Sequence, residues 1–408
     1  MSLVVQKYGG SSVADANKIK NVARRIVKTR KKGHQVVVVV SAMGDTTDDL
    51  IKLAYQVTKS PDKRELDALV STGELVSSSL LTMAIHGMGC KAISLNGAQA
   101  GIRTDTSYRQ ARIVKVEPQR ILEELAEDNI VVVAGFQGVT EDKDMDVTTL
   151  GRGASDLSAV ALAASLKAER CERYTDVDGI YTTDPNLFPQ ARKLKDISYD
   201  EMLEMVTYGF KAIQPRAVEL AELFNVPLLV ASSFNEKPGT LIHKEVTMEI
   251  RNKVRGIAYD LDVAKITFIG VPDSPGIAAK IFMPLAKAGI SVDTIVQNAS
   301  VKNITDLTFT VAKSQLKNVM AVVEPIAKKV GAKKCIGDPK WGKVSIIGTG
   351  MQNVPGYAAK MFDALSKAGI NIQLITTSEI RITCIIEESK VKEAVKALHK
   401  AFELDKEI

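Results

Sequence analysis

Histidine is nearly absent: the 408 residues include four, His34, His86, His243 and His399, and no two stand at metal-ligand spacing. Imidazole-based catalysis and a histidine metal site are therefore not expected. Cysteine is equally scarce. Cys90, Cys171, Cys335 and Cys384 are far apart and form no Cys-x-x-Cys, so neither a zinc site nor a disulfide framework is indicated. A reduced, cytoplasmic setting is the default expectation. No uninterrupted apolar run reaches the length of a bilayer, and Met1-Ser2 leads straight into a strand rather than a signal peptide, so no membrane partner is expected. Aromatic residues make up 5%, and the net charge is only +6. The basic residues, such as those in Lys28 to Lys32, lie on helical faces without interleaved aromatics, which reads as solvated helix ends and not nucleic-acid binding. No Gly-x-Gly-x-x-Gly occurs. Gly337-Asp338-Pro339-Lys340-Trp341-Gly342-Lys343 nearly spells a P-loop, but Val344 takes the Ser/Thr position and a strand follows, so it reads as a linker.

What remains is ordinary for a globular chain, with 45% hydrophobic and 25% charged residues over a length that suggests two to four domains. Leu3-Val4-Val5, Val36 to Val40 and Ile130 to Val133 read as strands buried on both faces. Ile19, Val22, Ala23, Ile26 and Val27 mark a one-faced helix, and Ala159 to Lys167 another. Through about residue 245 this alternation predicts an α/β domain with a mainly parallel sheet sandwiched by helices. Lys7-Tyr8-Gly9-Gly10-Ser11-Ser12 then sits at a strand-to-helix turn. A cation, two glycines and two hydroxyls there suit an anion, with the helix N-terminus adding partial positive charge.

The rest of the chain repeats itself. Lys265 to Gly270 matches Lys343 to Gly348, Pro275 to Lys280 matches Pro355 to Lys360, and Leu285 to Ile290 matches Leu365 to Ile370. The pair resembles tandem ACT domains, ferredoxin-like α+β units that bind amino acids at their interfaces. The second copy lacks room for a closing strand, so Val254 to Tyr259 is expected to supply it. The expected division is a catalytic domain at 1–245, a linker and strand at 246–262, a first ACT unit at 263–338 and a second at 339–408.

Polar clusters follow the apolar runs, where open α/β sheets bind ligands. They are Ser41-Ala42-Met43-Gly44, Ser71-Thr72-Gly73-Glu74, Gln99-Ala100-Gly101-Ile102, Phe136-Gln137-Gly138, Thr149-Leu150-Gly151-Arg152-Gly153, and Thr175-Asp176-Val177-Asp178-Gly179. With the Lys7 loop, Gln214-Pro215-Arg216-Ala217-Val218-Glu219 and the two ACT units, most of these resemble the signatures of aspartate kinases, members of the amino-acid kinase family, in family order and over essentially the whole chain.

The resemblance implies transfer of the ATP γ-phosphoryl group to the β-carboxylate of L-aspartate, feeding lysine, threonine and methionine synthesis. A carboxylate with a pKa of about 3.9 needs no general base, so scarce histidine is no obstacle. By resemblance, Lys7 stabilises the transferring phosphoryl group and Lys211 makes a second phosphate contact. Arg152 captures a substrate carboxylate, and Glu74 the ammonium. Ser41, Thr47 and Ser155 are substrate-side hydroxyls. Asp156 holds the ammonium or orients the lysines. Lys7, Tyr8, Gly9, Gly10, Ser11, Thr175, Asp176, Tyr181 and Asp184 form the nucleotide side, and Mg²⁺ arrives with ATP. Lysine and/or threonine are the implied effectors. Asp273, Gly276, Ile277, Ala278, Gln297, Thr305 and Asp306 form one effector site, and Val354, Pro355, Asn371, Ile372, Ser378 and Glu379 the other. Pairing through the ACT units implies a homo-oligomer, and Met248 is a candidate start for a separate regulatory subunit.

Three residues depart from the family pattern. Ala154 stands where glycine is usual and disfavours φ > 0 if the loop needs it. Leu157 replaces a hydroxyl, and Phe210 a smaller residue. They leave open a kinase of the same fold acting on another acidic amino acid. An amino-acid sensor with a decayed kinase half is the other alternative, and Lys7, Glu74, Arg152, Asp156 and Lys211 argue against it.

Overall fold

Burial of both faces explains why the first strands read as unbroken apolar runs. Val36 to Val40 are all within 1% of full burial, as the third of six strands packed at the centre of a parallel array requires. The structure, a computed structural model, describes residues 1–210, 212–244, 254–298, 303–351 and 354–406. It separates into two compact units. One comprises Met1–Tyr181, Lys193–Val206 and Lys211–Met248; the other comprises Thr182–Arg192, Thr207–Phe210 and Glu249–Ile408. Two short stretches placed by sequence in the catalytic domain, Thr182–Arg192 and Thr207–Phe210, thus group with the second unit.

The first unit is built on an eight-stranded sheet in the order Asp196–Ser198, Thr240–His243, Leu228–Ser232, Arg170–Thr175, Leu3–Tyr8, Gln35–Val40, Ile130–Ala134, Ala92–Leu95. All neighbours are parallel except Leu228–Ser232 with Thr240–His243. Side-chain alternation gives the faces different neighbours. Tyr8, Val38 and Val40 share a core with Ile19, Val22 and Ile26 of helix Ala16–Lys31 and with Leu81 and Ile85 of helix Thr72–His86. Lys7 points the other way, to the side where helix Ser155–Ser165 packs on strand Leu3–Tyr8.

A smaller sheet, ordered Ile113–Val116, Ile102–Thr104, Gln137–Thr140, Val147–Thr149, carries the chain towards Leu150. Asp67, fully buried on helix Lys63–Val70, ties that helix to it. Its Oδ2 accepts from the Arg109 and Thr149 amides at 2.8 and 2.9 Å, and its Oδ1 from the Thr149 hydroxyl at 2.7 Å. The stretch Lys63–His86 is long and apolar enough to cross a membrane by length and composition alone. Half of its most apolar window is buried within the protein, and it carries the hydrogen-bonded carboxylates Asp67 and Glu74, the pattern of a core helix.

The second unit is a six-stranded antiparallel sheet in the order Ile295–Gln297, Ile304–Val311, Gly256–Pro272, Lys334–Ile347, Arg381–Glu387, Leu374–Thr377. Its two central strands run through both repeats. Gly256 to Asp260 pair with Lys343 to Ile347, while Lys265 to Ile269 pair with Lys334 to Asp338. The 337–343 stretch, read from sequence as a linker, therefore lies inside a strand. Its Pro339 and Gly342 coincide with register shifts opposite Asp260 to Lys265, where a ladder tolerates residues that cannot sustain it. Each half has its own core. One gathers Phe268, Phe309, Ile281 and Val323; the other gathers Ile346, Met361, Ile382 and Leu398.

Asp67→Ala should strand three buried donors and cost roughly 3 kcal/mol of stability. Chemical denaturation measures it, and a loss below about 1 kcal/mol would contradict the tie.

Candidate active site

Strand register brings the site's cations together. Lys7 and Arg173 are partners across the neighbouring parallel strands Leu3–Tyr8 and Arg170–Thr175, so their side chains leave the same face near the strands' carboxyl ends. Asp156, in the first turn of helix Ser155–Ser165, lies between them. Its Oδ1 is 2.7 Å from Lys7 Nζ, and its Oδ2 accepts from Arg173 Nε at 2.9 Å. Burial lowers the Lys7 pKa, Asp156 pulls it back, and Arg173 lowers it further. Burial by itself would raise the Asp156 pKa, but the charges of Arg173 and Lys7 hold it below the usual carboxylate range. Arg173 Nη1 is buried without a hydrogen-bond partner among the described residues. Sequence reading missed Arg173. The available signal was an arginine inside a strand otherwise buried beside the Lys7 strand.

A carboxylate of opposite need lies close by. Glu74, in the first turn of helix Thr72–His86, is 3% exposed. Its Oε1 accepts from the Ala42 amide at 3.0 Å, and its Oε2 has no partner among the described residues. Burial pushes its pKa up to about 7, against the opposing pull of the Ala42 amide and of Lys7. The Ser41 and Ser155 hydroxyls are 3.0 Å apart, and the Ser77 hydroxyl holds the Ser41 carbonyl at 2.8 Å. Lys7, Ser41, Glu74, Ser155 and Asp156 are thus brought together.

The glycine loop differs from expectation in three ways. Its helix is a three-residue 3-10 turn, Gly10–Ser12, and helix Ala16–Lys31 begins later, with the Asp15 carboxylate capping its Lys18 amide. That N-terminus is already occupied by its own anion. The Gly9 amide points to the Tyr174 carbonyl at 3.3 Å. The Tyr8 ring is fully buried and stacks on Tyr174 with centroids 5.0 Å apart, so its side chain serves the core and not a ligand. Gly10 is required for close approach: a Cβ there would stand 2.7 Å from the Ala42 carbonyl oxygen. Ser11 is exposed at the turn.

The Gly151-Arg152-Gly153 turn holds its glycines at φ +98° and +77°, while Ala154 sits at φ −79°. The alanine therefore occupies a position that needs no left-handed backbone. Arg216 braces this turn by donating to the Leu150 and Ala111 carbonyls at 2.8 and 3.1 Å, which accounts for the Gln-Pro-Arg motif. Arg152 itself is largely exposed and paired with Asp48 at 2.9 Å, one residue from Thr47; neither joins the buried cluster. A cleft of about 960 Å³ opens beside the turn, lined by Arg112, Arg152, Leu157, Gln214 and Arg216.

On the expected nucleotide side, the Thr175 hydroxyl donates to Asp176 at 2.9 Å and the Tyr181 hydroxyl to Asp178 at 2.6 Å. Lys193 and Lys237, also missed from sequence, lie 3.7 and 3.9 Å from Asp178. Asp184 does not join them. It belongs to the second unit, where its carboxylate accepts from the Tyr259 hydroxyl and the Asn186 amide. Lys211 and Met248 lie outside the described residues.

The expected effector residues gather at two places in the second unit. Asp273, Gly276 and Ala278 lead into helix Ile277–Lys287, and Val271 pairs with Thr305 on the strand that also pairs with the strand of Gln297. The Asp306 carboxylate accepts from the Gly270 amide at 2.8 Å. Val354 and Pro355 precede helix Tyr357–Lys367, while Asn371 follows it and Ser378 and Glu379 follow strand Leu374–Thr377. Ile277 is buried in the core of the first half, while Ile372 is partly buried against the core of the second.

The sequence profile of the amino acid kinase family matches residues 2–232, and two ACT domain profiles match 265–327 and 344–402. The aspartate kinase of Pseudomonas putida is 51% identical over 407 residues, covering 99% of this chain and 98% of its own. The crystal structure of aspartate kinase from Synechocystis is 42% identical, covers 98% of this chain and 70% of its own, and superposes with a TM-score of 0.55. Aspartokinase III of E. coli, solved in complex with aspartate and ADP, is 23% identical and covers 98% of this chain and 100% of its own; its TM-score of 0.80 shows the shared fold. With half of the residues identical from end to end and both repeats matched, the chain belongs to the aspartate kinases of the amino acid kinase family.

Proposed function

We propose that the chain transfers the γ-phosphoryl group of ATP to the β-carboxylate of L-aspartate, giving 4-phospho-L-aspartate, and that lysine and/or threonine at the ACT units restrain it. One observation supports this most: the buried cluster leaves one cationic donor, Arg173 Nη1, and one carboxylate oxygen, Glu74 Oε2, without partners among the described residues. A phosphate fits the first and an ammonium the second. Lys7, aimed by Asp156, whose charge favours the ammonium form against burial, neutralises the transferring group, and Arg173 adds a second donor. Ser41 and Ser155 orient the acceptor, and Arg152 leaves Asp48 to take a substrate carboxylate bidentately. The aspartate β-carboxylate attacks the γ-phosphorus, the bond to the β,γ-bridging oxygen breaks, and ADP leaves. No proton moves, so catalysis rests on position and charge. Mg²⁺ fits as an ion carried by the phosphates, since Asp156 is already matched by two cations; bound there, it would neutralise phosphate charge.

ADP release dependent on aspartate, but not on glutamate or N-acetylglutamate, tests the reading; turnover with glutamate equal to that with aspartate would overturn it. The backbone at Ala154 needs no left-handed φ, so Ala154→Gly should leave kcat/KM within about twofold, and a larger change would make this position a determinant of substrate choice.

Glu74 makes the pH dependence specific. Its pKa in the free protein is about 7, and a bound ammonium favours the charged form. Substrate binding must therefore release a proton below pH 7. KM for aspartate should be roughly tenfold higher at pH 6 than at pH 8, a factor of ten per unit below the pKa. Glu74→Gln should raise KM at pH 8 and flatten the profile. A flat parent profile from pH 6 to 8 would remove Glu74 from the ammonium site.

A further inference from the structure

The residue after Tyr181 is held by the far end of the chain. Thr182 opens a hairpin whose ladder continues from Leu194 amide to Ile180 carbonyl, through Tyr181 paired with Lys193, to Thr182 amide on the Arg192 carbonyl. Thr182 is fully buried in the second unit. Its hydroxyl oxygen is 2.9 Å from His399 Nε2, on helix Val391–Ala401, and accepts from the Arg192 amide at 3.0 Å. Its carbonyl accepts from the Ile257 amide at 2.7 Å. Two residues on, Asp184 Oδ2 accepts from the Tyr259 hydroxyl at 2.9 Å.

The anchors are themselves immobilised. His399 is fully buried, and Phe188, from the tip of the same hairpin, lies against its ring with centroids 4.6 Å apart. Leu187 packs on the core formed by Ile346, Met361 and Leu398. Tyr259 belongs to strand Gly256–Pro272, whose first residues pair with Lys343 to Ile347. The segment Thr182–Asp184 is thus fixed by the elements of the second repeat through three separate hydrogen bonds, none of which the proposed phosphoryl transfer uses.

We infer that His399 and Tyr259 are positioning residues for nucleotide binding: through Thr182 and Asp184 they set the backbone at Tyr181, while Thr175 is held by its own strand pairing with Ser232. The inference rests on reading Tyr181 as a nucleotide contact. A hairpin ladder is stiff over two residues, so fixing Thr182 restricts the backbone of Tyr181, its covalent neighbour. The second repeat thereby has a task apart from any effector of its own.

Calorimetric titration of the full-length chain with ADP tests this, beside aspartate KM at saturating ATP and the thermal midpoint. Thr182→Val and His399→Leu should each weaken ADP binding at least fivefold, and the double variant no more than the weaker single one, because both remove one bond. Aspartate KM should move less than twofold. Tyr259→Phe removes one hydroxyl from a partly exposed tyrosine and keeps the protein folded; it should weaken ADP binding about threefold. ADP affinity equal to the parent's in Tyr259→Phe and in the folded fraction of the others, with only the thermal midpoint lowered, would overturn the inference and leave the proposed activity standing. A parent that binds no ADP would overturn both.

Discussion

The first unit depends on a carboxylate buried between a buried lysine and a partly buried arginine. Asp156 carries one negative charge against the two positive charges of Lys7 and Arg173, so the trio keeps one net positive charge inside the protein. Such an arrangement is poor material for stability, because desolvating three ions costs about what their attraction returns. It is good material for catalysis. Lys7 is buried and its direction is fixed by Asp156, so little reorganisation would remain if charge developed on a phosphoryl group beside it, as proposed. The parallel register supplies this cheaply, since one strand pairing places Lys7 beside Arg173 and one helix start places Asp156 between them.

Much of this was legible in the sequence, for a physical reason. Buried parallel strands are apolar throughout, so the Lys7 loop stood out against Val4 and Val5, and Val36 to Val40 announced the neighbouring strand. The polar clusters at the strand ends were legible for the same reason. Arg173 was not, because its importance comes from being opposite Lys7 across a strand pairing between residues more than 160 positions apart. The expected helix dipole behind Gly9 and Gly10 was misread. Asp15 caps the helix that follows, leaving a 3-10 turn beside the glycines. Ala154 looked like a departure with consequences, yet the left-handed positions are its neighbours Gly151 and Gly153.

The second half shows the same limits. Repeated Pro-Gly turns and apolar runs identified two units, but not that two strands run through both. Gly337, Pro339 and Gly342 carry the composition of a linker and sit in a strand whose ladder shifts register at the last two. Nor does sequence reveal that Thr182–Arg192 and Thr207–Phe210 leave the catalytic unit. Gly209 marks the second excursion: at φ +117° a Cβ would stand 2.0 Å from the Tyr259 carbonyl oxygen, so only glycine fits. The scarce histidine has a bearing here too. His399 is buried with burial lowering its pKa, which keeps it neutral and suits a hydrogen-bonding strut better than an acid–base catalyst.

In the proposed reaction Lys7 acts on the transferring phosphoryl group and not on the resting protein. The direct test is steady-state kinetics of Lys7→Ala, with 4-phospho-L-aspartate trapped as its hydroxamate. The expected kcat is at least a thousandfold below the parent's, about 4 kcal/mol of lost transition-state stabilisation, with aspartate KM within about threefold. A kcat within tenfold of the parent's would contradict it.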